Sequence, residues 1–202
     1  PRILAMSEVN WSAPKQKDYP AFVKGVEHFH ARMDALSINY ANHLYEVDGN
    51  LVNEGGQPTF VLETLTENKI IRYTTDGTDP DMNAALYEGP IPIDRTLTLK
   101  AAVFNAEKQL GNVFVRQINY HKAIGKNISI DKESAPAYPG SGAQGLINGI
   151  NGSDIRYGDK EWLGYWGEDF EVVIDLGKVT PVSSVQTRFY EGKGQWIYLP
   201  AG

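Results

Sequence analysis

The sequence predicts a mainly β chain: a helical pair over 1–41, an antiparallel β-sandwich over 42–122, and part of a second β-sandwich over 123–202. Three observations predict it. Apolar residues recur at helical spacing only before Asn42. After Asn42 they alternate with period two between Gly-containing turn pairs. The last third opens with a Ser/Pro/Gly-rich loop and then returns to short β-branched runs.

Arg2 to Trp11 carries Ile3, Leu4, Met6 and Val9 and reads as the tail of a buried helix, broken by Ser12-Ala13-Pro14. Asp18 is the expected N-cap of a second helix, with Pro20 tolerated in its first turn. Phe22, Val26, Phe29, Met33 and Leu36 then form one apolar stripe at steps of four and three. Lys24, Glu27, Arg32 and Asp34 occupy the opposite face. A two-helix unit this small cannot bury such a stripe alone, so a partner surface outside it is expected.

In the middle segment Thr96–Val103 alternates cleanly, and Ile71 and Tyr73 share a face. Turn signals fall at Asp48-Gly49, Gly55-Gly56, Asp76-Gly77, Glu88-Gly89-Pro90 and Leu110-Gly111-Asn112. Short strands at this spacing, with no helix between them, argue a sandwich of immunoglobulin or fibronectin type III kind. The third segment has a loop over Ser134–Gly145 and Asn-Gly turns at Asn148 and Asn151. Strands are expected at Glu171–Leu176 and Ser184–Phe189, with Trp162 and Trp196 beside them in the core. The chain opens on Pro1 without Met and stops at Gly202, straight after an apolar run, which predicts a piece of a longer polypeptide.

Composition removes several function classes. Hydrophobic residues make up 42% of the 202, enough to exclude whole-chain disorder. Nineteen basic against 25 acidic residues gives −6, so no basic footprint for nucleic acid or anionic lipid exists. No apolar run reaches the roughly 20 residues a membrane span needs. The chain has no Cys, which removes disulfides and thiolate metal sites.

Most motifs have plain readings. Gly140-Ser-Gly142-Ala-Gln-Gly145 matches G-x-G-x-x-G. A dinucleotide site needs a strand before it and a helix after it, whereas Pro136 and Pro139 precede this one, so it reads as a loop. Asp76-Gly-Thr-Asp79-Pro-Asp81 lacks the Glu of a calcium loop, since its twelfth position is Tyr87. It reads as a turn whose Asp side chains cap backbone amides. His28 and His30 are two apart, not at the i, i+4 spacing of a zinc site, and His43 and His121 stand alone. Asn10, Asn127 and Asn151 head formal glycosylation sequons with no sign of the pathway that would use them. No carboxylate pair stands out for glycoside hydrolysis. Tyr157 and Tyr165 lie in Gly-rich loops, where half-exposed rings can stack on sugars.

Three stretches in this order carry a family resemblance. Pro1–Ser12 with Lys17–Phe22 and Arg32–Tyr40 resembles the end of the catalytic domain of glycoside hydrolase family 20 β-N-acetylhexosaminidases. Ile71–Pro80 with Leu86–Ile91 and Thr98–Ala101 is similar to the chitobiase/hexosaminidase C-terminal sandwich. Trp162–Tyr165, Asp169–Gly177 and Gln195–Pro200 resemble the first half of a discoidin (factor V/VIII type C) domain, the fold of family 32 carbohydrate-binding modules.

The resemblance implies that 1–41 are the last helices of a TIM barrel, a remnant of it, with Glu8 and Trp11 packing on an outer helix. It implies a non-catalytic C-terminal part of a secreted or periplasmic enzyme that removes terminal N-acetylhexosamine from glycans. The catalytic Asp-Glu pair of that family has no counterpart here, so catalytic residues in this chain are none, and no cofactor is implied beyond a structural calcium. The calcium would sit in the loop Leu146–Ser153, at Asn148 and Ser153, where Asn148 replaces the usual Asp and lowers the charge. Arg156, Tyr157 and Tyr165 are the carbohydrate-contact candidates. The implied partners are glycans carrying N-acetylhexosamine and the upstream catalytic barrel of the same polypeptide. The alternative is a free-standing glycan-binding or adhesion protein, and the helical apolar stripe separates the two: against a barrel it is useful, without one a liability.

Overall fold

The computed structural model describes residues 2–54, 57–67 and 69–200. The turn expected at Gly55-Gly56 lies outside the described residues, as do Pro1 and Gly202. The chain is mainly β, with two α-helices followed by short strands in several sheets.

Helix α1 runs Arg2–Trp11 and α2 runs Tyr19–Ala35. The Asp18 carboxylate accepts the Ala21 N–H at 3.1 Å, the N-cap bond that starts α2, and Pro20 sits in the first turn where a missing N–H costs nothing. Beyond Leu36 the chain turns through Ser37 at φ 54 and leaves the helix.

The stripe that α2 buries differs from the one its sequence suggests. The buried residues are Val23, Val26 and His30, whereas Phe29 is 40% and Leu36 70% exposed. Two ion pairs accompany the rotation. Lys24 meets Glu67 at 2.9 Å and Glu27 meets Lys69 at 3.2 Å, so the face carrying Lys24 and Glu27 turns toward the segment before β3. Phe22 and Phe29 are left lining a groove with Leu4 and Trp11.

The strands are β1 (Val47–Glu54), β2 (Gln57–Thr64), β3 (Ile70–Thr74), β4 (Ala85–Leu86), β5 (Ile91–Pro92), β6 (Leu97–Phe104), β7 (Phe114–Ile118), β8 (Asn127–Ile130) and β9 (Val172–Asp175). One sheet has the order β1-β2-β5, a second β4-β3-β6-β7, and the third pairs β8 with β9. β3 runs antiparallel to both β4 and β6, in a register that sets Ile71 opposite Val103 and Tyr73 opposite Ala101. The period-two reading of β6 is what the core uses: Leu97, Leu99, Ala101 and Val103 are all buried. Ala102 and Phe104 are buried as well, so the end of this inner strand is covered on both faces. Phe60 on β2 meets Phe114 on β7 with ring centroids 6.2 Å apart, one contact joining the first two sheets.

The acidic turn after β3 is held as expected. Asp76 accepts the Thr78 N–H at 3.0 Å and its hydroxyl at 2.6 Å, Asp81 accepts the Asn83 N–H at 2.8 Å, and Asp79 pairs with Lys100 at 2.7 Å. The Thr78 hydroxyl bond, with the backbone bond behind it, holds the Asp76 carboxyl below its ordinary pKa.

Contacts divide the chain into two compact units. One comprises Pro1–Asn50, Phe60–Ile91 and Thr98–Arg116; the other comprises Leu51–Thr59, Pro92–Leu97 and Gln117–Gly202. Within the second, β8 and β9 pair antiparallel from Asn127 opposite Asp175 to Ile130 opposite Val172. Two expectations for this region need correction. Ser184–Phe189 forms no strand, and Val185 is 83% exposed. A strand exists only when a neighbour pairs its N–H and C=O groups, and no described strand lies along this one. Trp196 is not core but 82% exposed, at φ 62 after a short turn of 3-10 helix.

Candidate functional site

The polar loops of the second unit are organised by Trp162. Its indole N–H donates to the Ser153 carbonyl at 3.0 Å, while the Asp159 carboxylate accepts the Ser153 N–H at 2.8 Å. Gly152 is pressed onto the Trp162 ring: a Cβ there would lie 2.5 Å from Cε2 and Nε1. The Arg188 guanidinium closes the other side, 5.5 Å from the ring centroid, donating to the Gly152 carbonyl at 3.0 Å and pairing with Asp154. Such a mesh of short loop bonds fixes a segment that has no strand or helix of its own.

From Trp162 a row of rings leads outward. Tyr190 packs edge-on to Trp162 at 5.7 Å, Tyr157 lies 6.3 Å from Tyr190, and Tyr138 meets Tyr157 edge-on at 6.1 Å. Tyr157 is 38% exposed, so part of its ring is available to a planar or sugar-like ligand. Its neighbour Arg156 has a 75% exposed side chain whose Nε lies 3.5 Å from Asp159. The structure therefore sets Arg156 and Tyr157 side by side on one braced loop. Tyr165 belongs elsewhere: its ring stacks on Phe170 at 4.0 Å and 12°. Its hydroxyl is buried without a hydrogen-bond partner among the described residues, and burial, with the Asp131 charge behind it, raises its pKa. Tyr138, Arg188 and Phe170 complete these clusters. The sequence offered no spacing signal for them, because the contacts join residues up to 36 positions apart.

The calcium candidates have their oxygens in use. Asn148 Oδ1 accepts the Ile150 N–H at 2.8 Å, and Ser153 Oγ accepts the Ile155 N–H at 3.2 Å. Among the described residues no group of three or more His, Asp and Glu is arranged to hold a metal. Gly140–Gly145 is a loop leading into a 3-10 turn at Ala143–Ile147, with no described strand directly before it.

A second feature is the groove between α1 and α2, about 520 Å³, lined by Leu4, Glu8, Trp11, Phe22, Val26 and Phe29 among others. Helix α1 buries none of its residues. Ile3, Met6, Val9 and Trp11 are 82, 60, 55 and 89% exposed. These side chains leave apolar surface on α1 uncovered among the described residues. No helix among the described residues is long and apolar enough to cross a membrane.

The described residues thus hold a β-sandwich core and a loop region braced around Trp162. The family described as Fn3 associated matches residues 60–118, the stretch from β2 through β7. At the level of individual proteins, the chain is similar to a β-hexosaminidase of Porphyromonas gingivalis (strain ATCC BAA-308 / W83). The two are 27% identical over 125 residues, which cover 60% of this chain and 16% of that protein. The chain thus spans a small part of the relative it matches, and its likeness is to a segment of a hexosaminidase that includes an Fn3-associated stretch.

Proposed function

We propose that the chain is the non-catalytic C-terminal part of a family 20 β-N-acetylhexosaminidase that removes terminal N-acetylhexosamine from glycans outside the cytoplasm, secreted or periplasmic. The observation that carries this reading is the apolar face of α1 with the groove behind it, on a chain similar to a segment of a hexosaminidase. In this reading 1–41 are the last helices of the catalytic barrel, 42–122 the C-terminal sandwich, and 123–202 the first half of a discoidin domain. The helices pack the sandwiches against the barrel. Arg156 and Tyr157 add a shallow glycan contact, the ring by stacking and the guanidinium by hydrogen bonds. Tyr165 lies apart from that contact, in its own ring pair with Phe170. A structural calcium at Asn148 and Ser153 would be weakly held, since both side-chain oxygens are neutral and charge count sets affinity at such a site.

The test is binding in trans. The polypeptide preceding this chain in its reading frame, produced separately, is expected to bind it, as read by calorimetry. Replacing Trp11 and Phe29 by Asp is expected to weaken that binding at least tenfold, about 1.4 kcal/mol, while circular dichroism stays unchanged because both side chains are accessible. Binding that is absent, or indifferent to both substitutions, would refute the role given to these helices.

A further inference from the structure

The one histidine on the buried face of α2 is built in a way that packing alone does not require. His30 is 1% exposed, and neither ring nitrogen has a hydrogen-bond partner among the described residues. Its ring stacks on Tyr40 at 4.1 Å and 27°, and Tyr45 approaches at 6.0 Å edge-on. Tyr40 and Tyr45 belong to the connector that carries the chain from α2 into β1. His30 is therefore the joint between the helix and the strand region that follows, within one compact unit.

Two carboxylates flank His30 along α2, and neither is bonded to its ring. Asp34, one turn further along α2, accepts the Tyr40 hydroxyl at 2.9 Å. Glu27, one turn before, faces Lys69 at 3.2 Å with its Oε1 buried and not hydrogen-bonded among the described residues, and Lys24 pairs with Glu67 at 2.9 Å. Tyr40 is a neutral phenol across any ordinary pH, its pKa raised to about 12 chiefly by burial with the Asp34 bond behind it, and burial raises that of Tyr45 too. An imidazolium formed at position 30 would be a buried cation with two N–H donors and no acceptor bonded to either. Such a group costs several kcal/mol unless it is paired or returned to water.

We propose that His30 makes the docking of α2 pH-sensitive: protonation undocks the helix from the Tyr40–Tyr45 connector and exposes Val23 and Val26. The inference is independent of the proposed function, since it needs no glycan and no partner domain.

The direction follows from burial, which lowers the pKa of His30 below its ordinary 6.5, with Asp34 and Glu27 opposing more weakly. The unfolded or undocked state then binds more protons than the docked one between those two pKa values. The contribution of His30 to docking is full above about pH 6.5. It is lost as pH falls through the docked-state value.

The experiment is hydrogen exchange on the intact chain at pH 7.5 and 5.0, corrected for intrinsic rates, reading α2 amides against those of β6. Wild type is expected to lose at least tenfold protection over 23–35 on acidification, with 97–104 changed less than twofold. His30→Phe keeps the stack, removes the titration, and is expected to abolish that loss. Because the variant could misfold, the imidazole signals of the four histidines are titrated by NMR in wild type. His30 is expected to titrate below the ordinary value, or to resist protonation until α2 opens. A pH-independent α2 in wild type, an equal loss in His30→Phe, or a His30 titration at or above 6.5 would each overturn the proposal.

Discussion

Replacing Phe60 with Ala is expected to remove about 3–5 kcal/mol of stability, the largest effect of any single core change considered. Phe60 has no exposed surface, its ring meets Phe114 at 6.2 Å, and Gly49 lies so close that a Cβ there would be 2.6 Å from Phe60 Cε1. With Phe114 on one side and the Gly49 backbone on another, the surroundings do not readily close the space a deleted ring leaves. Since whole-domain stability is on the order of 5–15 kcal/mol, the loss is a large fraction of the total. Thermal unfolding should shift down by roughly 6–20 °C in a chain of this length. Phe189→Ala is the matched control: Phe189 is 54% exposed in the segment that forms no strand, so its loss is expected to stay near 0.5 kcal/mol. Equal effects at the two positions would contradict the placement of the core.

The second large effect is expected at Gly152, where Ala should cost about 1–3 kcal/mol through overpacking. The added Cβ would meet the Trp162 indole at 2.5 Å, and the ring cannot give way freely. Its N–H is bonded to Ser153 and its faces are flanked by Tyr190 and Arg188. Urea unfolding followed by Trp fluorescence measures the loss. A control at Gly158, where a Cβ meets nothing within 4 Å, should be close to neutral. If Gly152→Ala matched Gly158→Ala, the loop would not be braced as described.

These effects show which parts of the molecule the sequence carries on its face. β6 was legible because strand period and burial coincide: Leu97, Leu99, Ala101 and Val103 alternate in sequence and are all buried. The start of α2 was legible because an N-cap is a local bond, and Asp18 makes it. The buried face of α2 was not, since Phe22 and Phe29 outrank Val23 and His30 in hydrophobicity. The face that is buried instead packs on the Tyr40–Tyr45 connector, with ion pairs to Glu67 and Lys69 some 40 residues away, and neither contact is visible in a local window. Ser184–Phe189 misled for a related reason: its alternation is local, but a strand needs a partner that local pattern does not supply. The loop site was half legible. Arg156 and Tyr157 stood out by residue type, whereas the Trp162–Tyr190–Arg188 brace arises only once distant loops are brought together.

On the proposed reading, this chain supports a hexosaminidase without containing its chemistry. Hydrolysis of an N-acetylglucosaminide requires an acid within hydrogen-bond reach of the leaving oxygen and a group orienting the acetamide, both in a pocket that excludes water. The acidic side chains described above are engaged in turns and exposed pairs: Asp76 and Asp81 cap amides, Asp79 pairs with Lys100, and Asp154 with Arg188. The measurement is turnover of a chromogenic β-N-acetylglucosaminide by two purified proteins, the 202-residue chain and the polypeptide of its whole reading frame. No turnover above a buffer blank is expected for the first and clear turnover for the second. Activity that stays with the 202-residue chain after removal of host hexosaminidase, or its absence from the whole polypeptide, would contradict that reading.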